Sequence, residues 1–302
     1  MDQVPVTFIE SVFRSFRKYD RKEVGKLPPL WRQVGEAWRW RSGRLSLTFS
    51  CGGLYYTLEG WPHIRTRTLS REVVSEMAKN ISSVELRIRP NFLASPLIWE
   101  HIPRAEEHNV MQLLRTLNAP LYRLENLEWL PRMFPRDSDL LKRFNSLAVH
   151  DDLELLDQMI SLRKLQFITI SGNVPAQYDA KDLVDYFLSE SCESLSAHFE
   201  DVGVVLQIIN QWKEIDPQYL APGKVLKGLH YSCKQLTHAD MIPMYSIDRK
   251  LYKKIQRTVR SSCFIESLCR IEHPADPARR IYILFLKLEE FLFKQCCILL
   301  FE

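Results

Sequence analysis

The stretch LQFITISGN constrains the fold of this chain more than any other part of its sequence. It places Leu165, Ile168, Ile170 and Asn173 at the spacing L-x-x-L-x-L-x-x-N. In an extended strand the side chains of Ile168 and Ile170 point to the same face, and an Asn after a strand favours a turn. The pattern therefore predicts a strand whose apolar face must be covered by other elements.

This spacing is typical of a leucine-rich repeat, and looser matches to it occur along much of the chain. They begin at Ile81, Leu124, Phe144, Cys192, Leu226 and Ile265. The matches from residue 124 to residue 192 follow one another at intervals of 20, 21 and 27 residues, within the roughly 20 to 29 residues of regular repeats. Apolar residues at three loose positions also arise by chance, so an ordinary mixed domain with a series of strands is the alternative.

Segments between these matches have apolar residues three and four apart, which predicts helices. The predicted helices are 109–117, 153–160, 183–188, 204–212 and 251–259. Parallel strands require such crossovers. The sequence therefore predicts an α/β protein in which a short N-terminal three-helix head, residues 1–42, precedes an irregular leucine-rich-repeat-like solenoid of strands and helices, residues 43–302.

The first forty residues predict the short helices of this head. Thr7 and Glu10 have the S/T-x-x-E spacing of a capping box, and Pro28 with Pro29 separates the last helix from what precedes it. The apolar residues at helical spacing are Phe8, Val12 and Phe16 in the first helix, with Ile9 and Phe13 beside them, and Leu30, Trp31, Val34 and Trp38 in the last. A unit this small buries little apolar surface, which favours contact with a partner or a neighbouring domain.

The segment VPVTFIESVFRSFRKYDRKEVGKLPPLWRQVGEAW resembles a divergent F-box. The matching features are the hydrophobic-Pro start Val4-Pro5, the amphipathic helix from Phe8 to Phe16, the turn led by Asp20, and the end at Leu27 with Trp31. It departs from the F-box pattern at Val4 and at Arg21, where Leu is usual. With irregular strand and helix units behind this segment, the whole chain is similar to the nematode-expanded F-box-associated proteins.

F-box proteins are substrate receptors of cullin-RING ubiquitin ligases. The resemblance implies that the N-terminal helices bind a Skp-type adaptor and its cullin complex, while the body holds an unknown protein substrate. The residues implied in adaptor contact are Val4, Pro5, Phe8, Val12, Phe16, Leu27, Trp31, Val34 and Trp38. In the alternative, the helices only cover the open apolar end of the repeats, and the chain is a non-enzymatic scaffold for protein–protein interaction without a ligase connection.

Charge and composition restrict the class of partner. Residues 1–50 contain ten Lys and Arg against five Asp and Glu, although the whole chain carries a formal net charge of only +4. A local basic excess suits an acidic protein, and the resemblance implies that the Skp adaptor is acidic. Nucleic acid is not expected, because neither a recognised module nor clustered aromatic residues on a predicted sheet face accompany the basic segment.

The location predicted from the sequence is cytoplasmic or nuclear. Residues 1–18 carry charges throughout, unlike a signal peptide, and no run of 18 apolar residues occurs, so no membrane contact is expected. The seven cysteines are odd in number and scattered without a C-x-x-C pair. That arrangement predicts reduced, mostly buried thiols rather than a disulfide framework or a zinc site.

No cofactor, metal or catalytic activity is predicted. The glycine motifs of dinucleotide and P-loop sites are absent from the sequence. His150, Asp151 and Asp152 stand together, but the repeat pattern makes Asp152 a turn-forming acceptor. The run from Glu106 to His108 lacks the H-E-x-x-H spacing, and nothing in the sequence brings a His near Cys192 or Cys263.

The C-terminal stretch FLFKQCCILLF, residues 291–301, contains one charged residue. It is too short to span a bilayer and too apolar for an exposed tail. We expect either a final helix or strand docked on the last repeat, or a segment outside any folded unit.

Overall fold

The structure is a computed structural model, and it describes residues 4–15, 24–64, 68–89, 92, 98–126, 138–231, 235–236, 239–258, 263–288 and 291–302. The chain divides into two compact units, Met1–Ser146 and Leu147–Glu302. Both units mix helices with strands, so the predicted α/β class is confirmed. The boundary expected after residue 42 falls inside the first unit.

The first unit contains a mixed sheet with helices. Its helices are α1 Val6–Ser15, α2 Pro29–Arg41, α3 Arg71–Lys79, α4 Arg104–Leu114 and α5 Ser138–Leu141, and its strands are β1 Gly43–Ser50, β2 Gly53–Gly60, β3 Ile81–Ile88, β4 Glu100–Ile102 and β5 Leu121–Asn126. The strand order is β5-β3-β1-β2-β4. The strands β1, β3 and β5 run parallel, whereas β2 pairs antiparallel with β1 and with β4.

Local sequence signals explain most of these elements. The strands β1 and β2 form a hairpin, and Gly53 begins its second strand with φ +120°, a conformation that favours glycine. Ser70 caps α3 by accepting a hydrogen bond from the amide of Val73. The helix predicted over 109–117 begins earlier, at Arg104, because Pro103 initiates it and its first turns are polar, which hides them from an apolar-periodicity reading.

The second unit contains the longer sheet. Its helices are α6 Leu153–Ser161, α7 Lys181–Leu188, α8 Val202–Glu214 and α9 Arg249–Thr258, with a short 3₁₀ turn at Pro217–Tyr219, and its strands are β6 Ser146–Val149, β7 Phe167–Val174, β8 Ser194–Phe199, β9 Val225–Leu229, β10 Ile242–Pro243, β11 Cys263–Glu272, β12 Arg280–Leu288 and β13 Phe291–Phe301. The strand order is β10-β11-β12-β13-β9-β8-β7-β6. The strands β7, β8 and β9 run parallel, and the remaining pairs from β9 to β10 are antiparallel.

The strands β7, β8 and β9 align the residues that the repeat pattern selected. Ile168 lies opposite Leu195, which lies opposite Leu226, and all three are buried. Ile168 is the second apolar position of the pattern, so Leu226 occupies the second position too. The prediction that Leu226 begins a match was therefore wrong. The first position of this strand, three residues before Leu226, is Gly223. It adopts φ +87° and provides no apolar side chain, so the pattern could not be recognised there.

Three other expectations from the repeat pattern are corrected. Asn173 does not turn the chain, because β7 continues to Val174 and Asn173 pairs with His198. The match beginning at Ile265 is not a parallel repeat strand, because β11 is antiparallel to both of its neighbours. The match at Leu124 is out of frame, since Leu124 lies opposite Leu86, and its later positions 127 and 129 lie outside the described residues.

The apolar C-terminal stretch is a strand. In the sheet of the second unit β13 lies between β12 and β9, and Cys297 through Phe301 are buried. The ring of Phe301 packs edge-on against Phe187 and Trp212, with centroid distances of 5.4 and 6.3 Å. The expectation of a docked final element is confirmed in its strand form, and the expectation of a segment outside any folded unit was wrong.

None of the helices described here is both long enough and apolar enough to cross a membrane.

Candidate functional site in the N-terminal helices

The helices α1 and α2 pack around a small apolar core. Its buried members are Ile9, Phe13, Val24, Val34 and Trp38. The two helices approach closely at Gly35, where a β-carbon would lie 2.6 Å from the ring of Phe13. The absence of a side chain at this position lets α2 contact the Phe13 ring directly.

The start of α1 differs from the predicted one. The amides of Phe8 and Ile9 donate to the carbonyl oxygen of Pro5, at 3.0 and 3.2 Å, so the helix begins at Val6. Thr7 consequently lies inside the helix, and the capping box predicted from Thr7 and Glu10 was wrong. Pro5 suits this position, because a helix start needs no amide donor there and its φ is already restricted.

An apolar surface remains uncovered along one side of α1. We call Pro5, Val6, Phe8 and Trp31 the apolar edge. The side chain of Phe8 is 54% exposed and that of Val6 is 46% exposed. The Trp31 ring packs edge-on against Phe8 at 6.5 Å and against Phe13 at 6.3 Å, so it connects the exposed edge to the core beneath. Its indole Nε1 is buried and, in the described part of the chain, has no hydrogen-bond partner.

The residues implied in adaptor contact fall into distinct environments. Pro5 and Phe8 are exposed, whereas Val4, Val12, Leu27 and Trp31 are half-buried. Val34 and Trp38 belong to the core of the two helices, so they support the surface without forming it. Phe16 and the turn at Asp20 lie outside the described residues.

The pair of helices is fixed to the rest of the first unit through Arg14. Its Nη2 donates to the carbonyl oxygen of Lys79, the last residue of α3, at 2.8 Å. A cation is favourable at this carboxyl-terminal end of a helix because the last carbonyl groups lack partners within it. The Arg14 guanidinium also lies 5.8 Å from the centroid of the Trp38 ring.

Exposed basic side chains outnumber exposed acidic ones on α2 and just before it. Lys26, Arg32 and Arg39 are exposed on α2 or just before it, and Glu36 is the exposed acidic residue among them. A surface that combines apolar and basic side chains is complementary to an apolar groove with acidic residues. The two helices carry both kinds of exposed side chain.

Two exposed apolar residues of these helices were not selected from the sequence. Val6 precedes the apolar repeat of α1, and Trp40 on α2 is 68% exposed. Trp40 follows Trp38 by two residues, which places it away from the stripe formed by residues three and four apart. That offset is the one sequence signal that distinguishes an exposed Trp40 from the buried Trp38.

The chemical groups considered in the sequence have structural roles. Asp152 caps α6 by accepting from the amide of Leu155 at 3.0 Å, as expected of a turn-forming acceptor. Burial raises the pKa of the Cys192 thiol to about 12, which keeps it protonated and weakly nucleophilic. Within the described ranges, no three His, Cys, Asp or Glu side chains lie close enough together to hold a metal ion.

Comparison with known proteins adds no identity. No model of a protein family matches the sequence, and no curated protein is significantly similar to it.

Proposed function

We propose that this protein is a non-enzymatic substrate receptor of a cullin-RING ubiquitin ligase, and that its N-terminal helices bind a Skp-type adaptor. The observation that carries the proposal is the apolar edge, in which an exposed Phe8 packs on a half-buried Trp31. Exposed aromatic residues that rest on a supporting core are typical of the central residues of protein interfaces. The F-box resemblance supplies the identity of the partner.

The exposure of α1 favours a docking role over a covering role. If the two helices only covered the end of the repeats, their apolar residues would be expected to face inward. Instead Ile9 and Phe13 are buried while Val6 and Phe8 remain accessible. A helix that exposes apolar residues beside a buried core has surface left for a second contact.

The proposed substrate-binding part is the body, as an irregular leucine-rich-repeat-like solenoid. Support for this comes from β7, β8 and β9, which are parallel, neighbouring and consecutive, with α7 and α8 between them. Ile168, Leu195 and Leu226 form one buried row across them. The opposite face of β7 and β8 carries the half-buried Thr169, Ser194 and Ser196 and offers a surface for recognition.

Co-purification of a Skp-type adaptor with the full chain tests the proposal. The matched variant replaces Val4 and Pro5 with Ala, which removes an apolar contact and a restraint before α1 at a cost of about 1 kcal/mol or less in stability. We expect wild type to retain the adaptor and the double variant to retain roughly thirtyfold less, corresponding to ~2 kcal/mol. A folded wild-type chain that retains no adaptor contradicts the proposal.

A scaffold without a ligase connection is the second candidate. The hydrogen bond from Arg14 to the end of α3 favours this second candidate. It attaches the two helices to the first unit, as is expected of helices that only cover an apolar end. Val34 and Trp38 are likewise committed to the core of the two helices. The same co-purification separates the two candidates, since a scaffold retains no adaptor.

A further inference from the structure

The parallel strands of the first unit carry a set of charged residues on one face. In β3 the residues Ser83, Glu85 and Arg87 alternate with Val84 and Leu86. The strand register places Glu85 opposite Arg123 of β5 and Arg87 opposite Glu125, so the charges alternate both along and across the strands. Arg44 of β1 lies opposite Ser83 and donates to its hydroxyl at 3.2 Å.

We call Arg44, Arg87, Arg89 and Arg123, with the carboxylates of Glu85 and Glu125, the arginine face. Each carboxylate is shared between two of the arginines. Arg87 and Arg44 approach Glu85 at 2.7 and 3.7 Å. Arg89 and Arg123 approach Glu125 at 2.7 and 3.4 Å. Among the described residues, four guanidinium groups are thus paired with two carboxylates at the centre of this face, and Glu59 lies 3.9 Å from Arg44 at one side.

The two signs of charge differ in depth. The side chains of Glu85 and Glu125 are 8% and 9% exposed, whereas those of Arg44 and Arg123 are 46% and 40% exposed. Apart from the exposed Glu59, the described charged groups that meet solvent on this face are therefore cationic, and the two shared carboxylates lie beneath them. A ligand that approaches this surface meets guanidinium groups first, and these groups bind carboxylates with well-defined geometry.

Several polar atoms of this face are unsatisfied. The Nε atoms of Arg87 and Arg123 are buried, and among the described residues neither has a hydrogen-bond partner. The hydroxyl oxygens of Ser46 and Thr48, on the adjoining strand β1, are in the same condition. Buried donors are normally paired, so the described residues leave the polar groups beneath this face incompletely satisfied.

An aromatic cluster adjoins the arginine face. Tyr55 of β2 lies opposite Thr48, and its ring contacts Phe92 and His101 at centroid distances of 5.9 and 5.1 Å. Phe92 in turn contacts Trp99 at 4.9 Å. Because these rings are half-buried or exposed, they add an apolar contact surface next to the cationic one.

We infer that the arginine face binds an acidic peptide segment of a partner protein, with an apolar side chain of that segment on the aromatic cluster. The carboxylates of the peptide would pair with the solvent-exposed parts of the Arg44, Arg87 and Arg123 guanidinium groups. That the segment belongs to a ligase substrate rests on the proposed function, whereas its binding does not. A nucleic acid is less suitable, because the exposed carboxylate of Glu59 lies beside Arg44 and interrupts a continuous path for phosphates.

Fluorescence anisotropy with the full chain, in the absence of any adaptor, tests this site. The probe is a labelled peptide in which glutamates flank one leucine, and the control probe has glutamine in place of every glutamate. We expect the acidic probe to bind and the neutral one to bind at least about tenfold more weakly, with the difference shrinking as salt is raised. Equal binding of both probes, or binding of neither, overturns the inference.

The variants R44Q and R123Q locate the site. Each removes a partly exposed guanidinium while Arg87 or Arg89 still pairs with the buried carboxylate, so the fold is retained, which circular dichroism verifies. Each is expected to weaken the acidic probe roughly fivefold to tenfold. The matched control R71Q makes the same change at the exposed first residue of α3 and should leave binding unchanged. An equal loss in R71Q overturns the location.

Two further probes decide the class of ligand. A peptide with phosphoserine in place of glutamate, and a single-stranded oligonucleotide of matched charge, are compared with the acidic peptide. The inference expects the glutamate peptide to bind more tightly than the oligonucleotide and to bind without phosphorylation. A site that binds the phosphorylated peptide or the oligonucleotide while ignoring the glutamate peptide contradicts it. Adaptor co-purification is measured separately, so failure here leaves the adaptor proposal intact.

Discussion

The strands of the two units differ in whether one or both of their faces are apolar. In the first unit β3 alternates, with Val84 and Leu86 on the apolar face and Glu85 and Arg87 on the arginine face. In the second unit every residue of β12 from Ile281 to Leu286 is buried. The difference arises because α9 packs Leu251 and Ile255 onto one face of β11, β12 and β13, which we call the covered face. The arginine face of the first unit carries charged side chains instead.

This contrast shows how much of a strand's sequence reflects what covers it. An alternating strand has one accessible face and can recognise a ligand there, whereas a continuous apolar strand is core on both sides. The C-terminal stretch belongs to the second kind. Its unusual composition is that of a strand with neighbours on both edges and apolar layers on both faces.

The largest expected effect comes from placing a charge on the covered face. Leu284→Asp introduces a carboxylate at a side chain that is 0% exposed, where no partner can compensate for its desolvation. We expect a loss of more than about 4 kcal/mol and no cooperative unfolding of the second unit, followed by circular dichroism on heating. Lys287→Asp, at an exposed position of the same strand, should unfold close to wild type. A stable Leu284→Asp variant would mean that the face is open.

A buried lysine provides the next largest effect. Lys224 donates from Nζ to the carbonyl oxygens of Ser189 and Cys192, and its side chain lies 5.8 Å from the Phe187 ring. Lys224→Met keeps the apolar stem but leaves two buried acceptors without their charged donor. The expected cost is about 2 to 4 kcal/mol, measured as the change in unfolding midpoint in urea.

Lys227→Met is the control for this measurement, because it makes the same change at an exposed residue of β9. It should cost less than about 0.5 kcal/mol. Equal costs for the two variants would show that the Lys224 bonds contribute nothing beyond the aliphatic stem.

The sequence was sufficient for the regular part of this molecule. The helices α6, α7 and α8 and the row of Ile168 and Leu195 follow from apolar spacing, because local pattern and final packing agree there. Prediction failed where packing depends on distant partners. Neighbouring strands determine that β11 is antiparallel and which residue Leu226 lies opposite. A pattern read within one strand does not contain that information.

The candidate site was predictable in the same partial way. The apolar residues of α1 and α2 were identified as a group, but the division between buried Trp38 and exposed Phe8 depends on how the helices pack. The arginine face was missed although its signal is present. In β3 and β5 charged residues alternate with apolar ones, and attention to the apolar positions alone leaves Glu85 and Arg123 unnoticed.

The arginine face should tolerate substitution far better than the covered face. Arg44→Ala removes carboxylate contacts of 3.7 and 3.9 Å and the 3.2 Å hydrogen bond to Ser83, all made by a side chain that is nearly half exposed. The expected cost is about 1 kcal/mol or less, because exposed ion pairs contribute little after screening. Urea unfolding of this variant beside Leu284→Asp measures the contrast directly, and a loss above about 2 kcal/mol would erase it.

The smallest effect concerns pH and the strand β8. Burial, followed by repulsion from His230, lowers the pKa of His198 below its usual value, while Glu200 acts in the opposite direction. A lowered folded-state pKa means that the unfolded chain binds the proton more tightly, so stability falls as pH drops below about 6.5. Between about pH 7.5 and about pH 5.5 the melting temperature of wild type should fall slightly more than that of His198→Gln. Identical pH profiles would exclude a contribution from this histidine.

The central claim is that the apolar edge binds an adaptor, and substitution of Phe8 tests it most directly. Phe8→Ala should cost about 1 kcal/mol or less in stability because the side chain is more than half exposed. Its affinity for a Skp-type adaptor, measured by isothermal titration with the full chain, should fall at least about tenfold. Trp40→Ala, an exposed aromatic residue outside the apolar edge, is the control and should bind like wild type. Adaptor binding that is unchanged in Phe8→Ala, or absent in folded wild type, would contradict the assignment of this surface.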